Sequence, residues 1–232
     1  MDKFKFYMLK VHLNIDEVSN SLTSTNDEFY GIKFICKTDN YIKFNFYEHK
    51  ILETTFIDKD FKEHTIEYVK TDNFYFYIYY FDKYKILTLE NPYRNLTFFK
   101  NFLSQKLLNK ASILNINLNP ILLFNFLKDI EDINVTISSL EVKDIQLSKS
   151  TIATLTIKST DNLFNNFKKY IQSENYIVSK ALFTSYSKFK GKILLTHEGS
   201  LSLQLYQQSD FLDLFILFLK NHLNSIELND PL

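Results

Sequence analysis

One short segment, FYFYIYYF at residues 74–81, limits the folds open to this chain more than any other. Alternate side chains of a strand point to opposite faces. One face is therefore formed by Phe74, Phe76, Ile78 and Tyr80, and the other by Tyr75, Tyr77 and Tyr79. Both faces are apolar or amphipathic, which is typical of a strand covered on both sides. The segment predicts a sheet in which it is a central strand.

Further segments alternate polar and apolar residues, as antiparallel strands do. They lie at residues 3–13, 29–37, 41–48, 50–57, 85–90, 133–137, 140–147, 151–158, 176–186, 192–197 and 200–206. Apolar periodicity and capping residues predict helices at 14–22, 95–108, 120–130, 161–171 and 209–223. Asn14 with Glu17 is a capping box, and Asn119 before Pro120 is a helix start. The pattern predicts an α+β protein, mostly antiparallel sheet with packed helices.

The chain also resembles itself. Residues 85–107 align with residues 201–223, and among the positions that then carry identical residues are Leu87, Leu89, Phe99, Phe102, Leu103 and Leu107. We expect two degenerate halves that each end in strand, strand and helix, with chance similarity in a Leu- and Phe-rich chain as the alternative. The expected organisation is an N-terminal α+β half at 1–110, a connecting helix at 111–132 and a C-terminal α+β half at 133–232.

Composition removes several classes of function. The three glycines, Gly31, Gly191 and Gly199, are too far apart for the loops that bind phosphate or carry a serine nucleophile. The single Cys36 cannot form an intrachain disulfide or a zinc-binding pair, and the five histidines lack metal-ligand spacing. We therefore expect no cofactor and no metal. The sequence favours a protein that is not an enzyme, although it does not exclude catalysis.

Compartment and source follow from two further features. Residues 1–13 lack the uncharged apolar core of a signal peptide, and the longest apolar run, 211–219, is far shorter than the roughly 20 residues that span a membrane. We expect a cytoplasmic protein without membrane contact. Arg94 is the only arginine, whereas Lys, Phe, Tyr, Ile and Asn abound. This bias indicates an A/T-rich genome, such as that of a low-GC bacterium or its mobile elements.

One spacing is that of metal-dependent nucleases of the PD-(D/E)xK type. Asp132 precedes one predicted strand, and Glu141 and Lys143 share a face of the next. Two carboxylates could there hold Mg²⁺ while the lysine positions a water. The alternative is a solvated strand face, because this Lys-rich chain contains a second Glu-x-Lys at residues 48–50.

Residues 158–192 form a basic and aromatic tract, with seven lysines against Asp161 and Glu174. The candidate nucleic-acid-binding residues are Lys168, Lys169, Lys180, Lys188, Lys190 and Lys192. Interleaved aromatic residues could stack on bases, although some recur at helical spacing and fit a core equally well. Without arginine, only non-specific binding to the phosphate backbone is expected.

Two aromatic sets predict contact with a protein partner. They are the tyrosine face, Tyr75, Tyr77 and Tyr79, and the apolar last helix, with Phe211, Phe215 and Phe218. That helix fits a core or an interface with another chain. The sequence therefore favours a non-enzymatic accessory subunit of a multiprotein assembly, such as a bacterial defence or DNA-handling system, in a hetero-complex. The alternative is a nucleic-acid-binding protein or a Mg²⁺-dependent nuclease.

Overall fold

A computed structural model describes residues 1–23, 27–81, 84–148, 150–165, 167, 171 and 175–227. The chain divides into two compact units. The N-terminal unit is Phe6–Leu114, and the C-terminal unit is Met1–Lys5 together with Asn115–Leu232. Over the described ranges, four α-helices accompany eleven strands, so the predicted α+β class with mostly antiparallel sheet is confirmed.

The first strand, β1 (Asp2–Val11), contributes residues to both units. The elements that follow it are α1 (Ile15–Thr23), β2 (Tyr30–Lys37), β3 (Tyr41–Ile57), β4 (Glu63–Tyr80), β5 (Lys85–Glu90), α2 (Thr97–Lys106) and β6 (Ala111–Asn115). In the N-terminal unit the strand order is β2-β3-β4-β5-β1, and β6 also pairs with β1. The pairs from β2 to β5 are antiparallel.

An aromatic core joins α2 to this sheet. The Phe99 ring of α2 lies with its centroid 5.1 Å from that of Phe46, 4.9 Å from that of Phe74 and 5.3 Å from that of Phe76. All four side chains are buried. The residue before α2, Leu96, makes no side-chain cap hydrogen bond. Asn95 Oδ1 accepts one hydrogen bond from the Thr97 N–H over 3.1 Å, and packing against the three rings supplies the larger part of the stabilisation of α2.

Helix α1 begins with the predicted capping box. The Glu17 backbone N–H donates to Asn14 Oδ1 over 2.9 Å, and the Asn14 backbone N–H donates to Glu17 Oε2 over 2.7 Å. Two of the helix's unpaired N-terminal donors are satisfied in this way. Val18 and Leu22, one turn apart, are its buried residues.

The C-terminal unit continues the chain with α3 (Pro120–Lys128), β7 (Val135–Ser148), β8 (Thr151–Lys158), β9 (Ile177–Ser185), β10 (Gly191–Thr196), β11 (Ser200–Leu205) and α4 (Gln208–Glu227). Its strand order is β1-β11-β10-β9-β7-β8, with antiparallel neighbours. As predicted, Asn119 caps α3, and its side chain accepts a hydrogen bond from the Ile121 N–H. The predicted hairpin at residues 192–206 is also present, with Gly199 at φ 70° in its turn.

Several predicted boundaries differ. The strands expected at 41–48 and 50–57 are the single strand β3, and β4 begins eleven residues before the predicted strand at 74. The strands expected at 133–137 and 140–147 are the single strand β7, because a bulge at Ser138 absorbs the extra residue. Strand β6 precedes α3 within 111–132. The helix expected at 161–171 falls partly on described residues, which include a 3₁₀ turn at Leu163–Asn165, while 166 and 168–170 lie outside the described residues.

The aromatic core makes the N-terminal unit sensitive to one truncation. We expect Phe99→Ala to lower the free energy of unfolding by about 3–5 kcal/mol, since it leaves a cavity among three rings. Urea unfolding measures this change. Phe98→Ala, on the same helix but with 40% of Phe98 exposed, is the matched control and has a clearly smaller effect. Equal losses in both variants would contradict the assignment of Phe99 to the core.

Candidate functional site

The predicted carboxylate and lysine of the nuclease hypothesis lie in a polar pocket of about 320 Å³ in the C-terminal unit. Glu141 accepts hydrogen bonds from Ser179 Oγ over 2.9 Å and from Lys180 Nζ over 3.3 Å. Lys143 Nζ is 3.6 Å from the same carboxylate. These contacts, led by the Ser179 hydrogen bond, lower the pKa of Glu141. The carboxylate is thus occupied by a hydroxyl and two ammonium groups.

Asp132 lies at the other end of the same strand. It occupies a turn with φ 66°, before Val135 begins β7. From Val135 to Glu141 the strand advances roughly 20 Å, so the two predicted carboxylates are far apart. Across the described part of the chain, no three or more His, Cys, Asp or Glu residues are grouped to hold a metal ion.

The aromatic residues predicted to bind a partner are mostly buried. Phe211, Phe215 and Phe218 of α4 are at most 4% exposed, and Phe218 packs on Phe126 with ring centroids 5.5 Å apart. Tyr77 and Tyr79 are buried as well, whereas Tyr75 is 41% exposed. The Tyr77 hydroxyl donates to Glu90 Oε2 over 2.5 Å, and burial together with this contact raises the pKa of Tyr77. Tyr75 alone of these residues offers a substantial surface.

The predicted basic residues separate into three groups. Lys168 and Lys169 lie outside the described residues. Lys180 is half-buried beside Glu141. Lys188, Lys190 and Lys192 are exposed, and Lys188 and Lys190 line a hollow of about 750 Å³.

A dense group of exposed apolar side chains lies where no site was predicted, in the outer parts of β3 and β4. Residues 51–57 of β3 pair with residues 63–69 of β4 in seven consecutive rungs. The pairing of β2 with β3 ends at Glu48, and the pairing of β5 with β4 begins at Tyr75. We call residues 51–69 the ribbon; its seven rungs extend roughly 20 Å.

The ribbon is exposed on both faces. All its residues except Leu52 and Asp58 are exposed. Its exposed large apolar side chains are Ile51, Phe56, Ile57, Phe61, Ile66, Tyr68 and Val69. Paired residues share a face, so Leu52, Tyr68, Ile66 and Phe56 lie together on one side. A surface of this kind is uncommon on a protein that has no partner.

Hydrogen bonds to Asp58 close the turn of the ribbon. Asp58 Oδ1 accepts hydrogen bonds from the backbone N–H groups of Asp60 and Lys62, over 2.8 and 2.9 Å. The hydrogen bond from Lys62, followed by that of His64, lowers the pKa of Asp58. These bonds hold the 91%-exposed Phe61 at the tip with φ 59°. The ribbon therefore presents its apolar residues from a defined turn.

Charged residues fasten the base of the ribbon. Lys50 Nζ lies 2.9 Å from Asp72 Oδ2 and 3.1 Å from Glu48 Oε2, and Lys70 Nζ lies 3.0 Å from Asp72 Oδ1. The Tyr93 hydroxyl donates to Glu48 over 3.4 Å. We call these four charged residues the root. The hydrogen bond from Lys50, then that from Lys70, lowers the pKa of Asp72.

Comparison with known proteins does not assign the chain. No protein-family model matches it, and no curated protein gives a significant match. None of the helices in the described ranges is long and apolar enough to cross a membrane.

The root predicts a pH dependence. Asp72 has a lowered pKa in the folded protein, so its ion pairs stabilise the fold above the unfolded pKa of about 4 and are lost as pH falls through the folded value. We expect Asp72→Asn to reduce stability at pH 7 by less than about 1 kcal/mol, because the root is partly solvated. Urea unfolding from pH 7 to pH 3 should show this difference shrinking.

The control for this prediction is Asp39→Asn. Asp39 is exposed and forms no ion pair with another described residue. Its substitution should leave stability nearly unchanged at neutral pH. A stability difference for Asp72→Asn that stays constant over the whole pH range would contradict the ionic role of the root.

Proposed function

We propose that this chain is a non-enzymatic subunit that binds a protein partner through the ribbon. The observation that carries the proposal is the set of seven exposed large apolar side chains within nineteen residues. An isolated two-stranded hairpin is at best marginally stable in water, and exposed edges invite pairing. A partner that covers the ribbon removes both costs.

Charge specifies what kind of surface the partner presents. Residues 51–69 contain five carboxylates, Glu53, Asp58, Asp60, Glu63 and Glu67, and only two lysines, Lys59 and Lys62. Glu53 and Glu67 lie directly opposite each other, where like charges repel. A polyanion would be repelled by this surface. We therefore assign the ribbon to a protein whose surface is apolar at its centre and basic at its rim.

Polar and apolar parts of the ribbon have separate roles in this proposal. The side with Leu52, Phe56, Ile66 and Tyr68 supplies apolar contact area, and aromatic anchors of this kind dominate the affinity of many interfaces. The carboxylates of the opposite side and the tip supply long-range attraction. Binding should consequently weaken with salt through its association rate more than through its dissociation rate.

The repeated order of elements supports a second proposal, that the two units are degenerate copies. In the N-terminal unit β4 and β5 form an antiparallel pair followed by α2. In the C-terminal unit β10 and β11 form such a pair followed by α4. The aligned leucines and phenylalanines lie in β5, α2, β11 and α4, apart from Leu107, which directly follows α2. Under this proposal the ribbon is an extension that only the first copy acquired.

The partner is tested with a photo-crosslinking amino acid at position 61, the most exposed apolar site of the tip. Crosslinked protein is identified by mass spectrometry, and the purified partner is then recombined with the purified chain. Crosslinking of a protein is not by itself a result that supports the proposal. We expect a stoichiometric complex whose dissociation constant rises at least tenfold in the double variant Phe56→Thr and Ile66→Thr, since each loses a contact worth about 1 kcal/mol or more.

The matched control is Leu147→Thr with Ile152→Thr. These side chains are 66% and 69% exposed at the β7–β8 hairpin, so two large exposed apolar side chains are removed elsewhere. The control variant should bind the partner as the unchanged chain does. Crosslinks formed only with another copy of the chain, or equal losses in the ribbon and control variants, would overturn the proposal.

A further inference from the structure

The sheet of the C-terminal unit has one buried face and one exposed face. The buried face carries Ile137, Leu140, Phe183, Leu195, Leu201 and Leu203, each fully or almost fully buried. On the other face a continuous row of paired residues crosses the sheet through Lys3, Ser202, Leu194, Leu182, Ser139 and Lys158. None of these six residues is buried. We call this second side the open face.

The open face is basic. Neighbouring rows of paired residues on the open face contain two more lysines. Lys192 pairs with Gln204 and Thr184, and Lys180 pairs with Glu141. Lys5, opposite Ser200, brings the lysines of these rows to five, and Glu141 is the carboxylate among their paired residues. A second carboxylate of β7, Asp144, lines the same pocket as Glu141. Most of the remaining positions are serine, threonine or glutamine. Lysines supply charge for phosphates, and hydroxyls can donate to phosphate oxygens.

The charge is concentrated toward one end of the strands. Glu141 neutralises the other end through Lys180 and Lys143. Lys158, Lys188, Lys190 and Lys192 form no ion pair with a carboxylate among the described residues. Lys190 and Lys192 are two residues apart, roughly 7 Å along an extended chain. This end therefore carries several lysines that form no ion pair, and the acidic residue that lines the same hollow is Asp2, whose carboxylate accepts a hydrogen bond from Gln208 Nε2.

Two exposed tyrosines lie beside these lysines. Tyr206, which follows β11, is 88% exposed, and Tyr186, which follows β9, is 60% exposed. The Tyr206 backbone N–H donates to the Lys190 carbonyl over 3.2 Å, which places the two residues side by side. Tyr206, Lys188, Lys190 and Gln204 line the hollow of about 750 Å³. Exposed aromatic rings next to cations are the elements with which proteins bind unpaired bases.

We infer that the open face binds single-stranded nucleic acid, with phosphates along Lys188, Lys190 and Lys192 and a base on Tyr206. The aromatic rings at the strand ends favour a strand whose bases are unstacked over a duplex. The chain's only arginine, Arg94, belongs to the N-terminal unit, so the site lacks the bidentate group that reads guanine. Binding is therefore independent of base sequence. This inference does not depend on the ribbon.

The test is fluorescence anisotropy of the full-length chain with labelled 15-nucleotide oligo(dT), oligo(U) and a 15-base-pair DNA duplex. We expect binding to a single strand, DNA or RNA, that weakens at least tenfold between 50 and 200 mM NaCl, because several phosphate contacts are lost together. Binding to either single strand supports the inference and shows which sugar is preferred. Tighter binding to the duplex would overturn it.

Two variants and a control locate the site. The triple variant with Lys188→Gln, Lys190→Gln and Lys192→Gln should show no binding at 200 mM NaCl. At lower salt its affinity for the single strand should change less with NaCl concentration. Tyr206→Ser should weaken binding about tenfold while the salt dependence stays unchanged, because it removes stacking and no charge. Lys10→Gln, Lys59→Gln and Lys110→Gln together remove three exposed charges from the N-terminal unit and should have little effect. No binding at 50 mM NaCl, or equal loss in the control, would overturn the inference.

Discussion

The register between β3 and β4 determines both the aromatic core of the N-terminal unit and the apolar side of the ribbon. Seventeen consecutive residue pairs, from Tyr41 with Tyr79 to Ile57 with Glu63, run without a bulge. The inner pairs place Phe44, Phe46, Phe74 and Phe76 on the face that α2 covers. Because the alternation is unbroken, the same register brings Leu52, Phe56, Ile66 and Tyr68 together on the ribbon. A slip by one residue would turn the buried phenylalanines to solvent, so the core fixes the composition of the exposed surface as well.

The sequence predicts the elements whose signals are local. Asn14 and Glu17 specify their capping box, Asn119 and Pro120 begin a helix, and Glu198 and Gly199 turn a hairpin, since each signal depends on neighbouring residues. Strands with one buried face, such as β10 and β11, show the period-two pattern that burial imposes. These elements are sufficient to predict the fold class. The sequence also indicates Lys188, Lys190 and Lys192 as candidate binding residues. It does not indicate their neighbour Tyr206, because Tyr206 follows a different strand, β11.

The same reasoning predicts only the β3 half of the ribbon, as the strand at 50–57, and misses the β4 half. Periodicity reports burial, and the residues of β4 from 63 to 71 are buried on neither face, so no alternation marks them as a strand. The only sequence signal is the density of β-branched and aromatic residues, Thr65, Ile66, Tyr68, Val69 and Thr71, after a polar turn. The predicted partner residues show the converse error. The sequence of an apolar helix such as α4 fits a buried core and a protein interface equally well. In this chain Phe211, Phe215 and Phe218 belong to the core.

The carboxylates of the ribbon also govern how the chain behaves in concentrated solution. A flat, apolar, two-stranded edge is the form in which strands stack into fibrils. With five acidic side chains and two lysines between residues 51 and 69, two ribbons repel each other on approach. The repulsion is strong where the carboxylates are ionised and weakens under acid or high salt. If the ribbon binds a partner as proposed, colloidal stability of the free chain and choice of partner depend on the same few charges, so a change in one property alters the other.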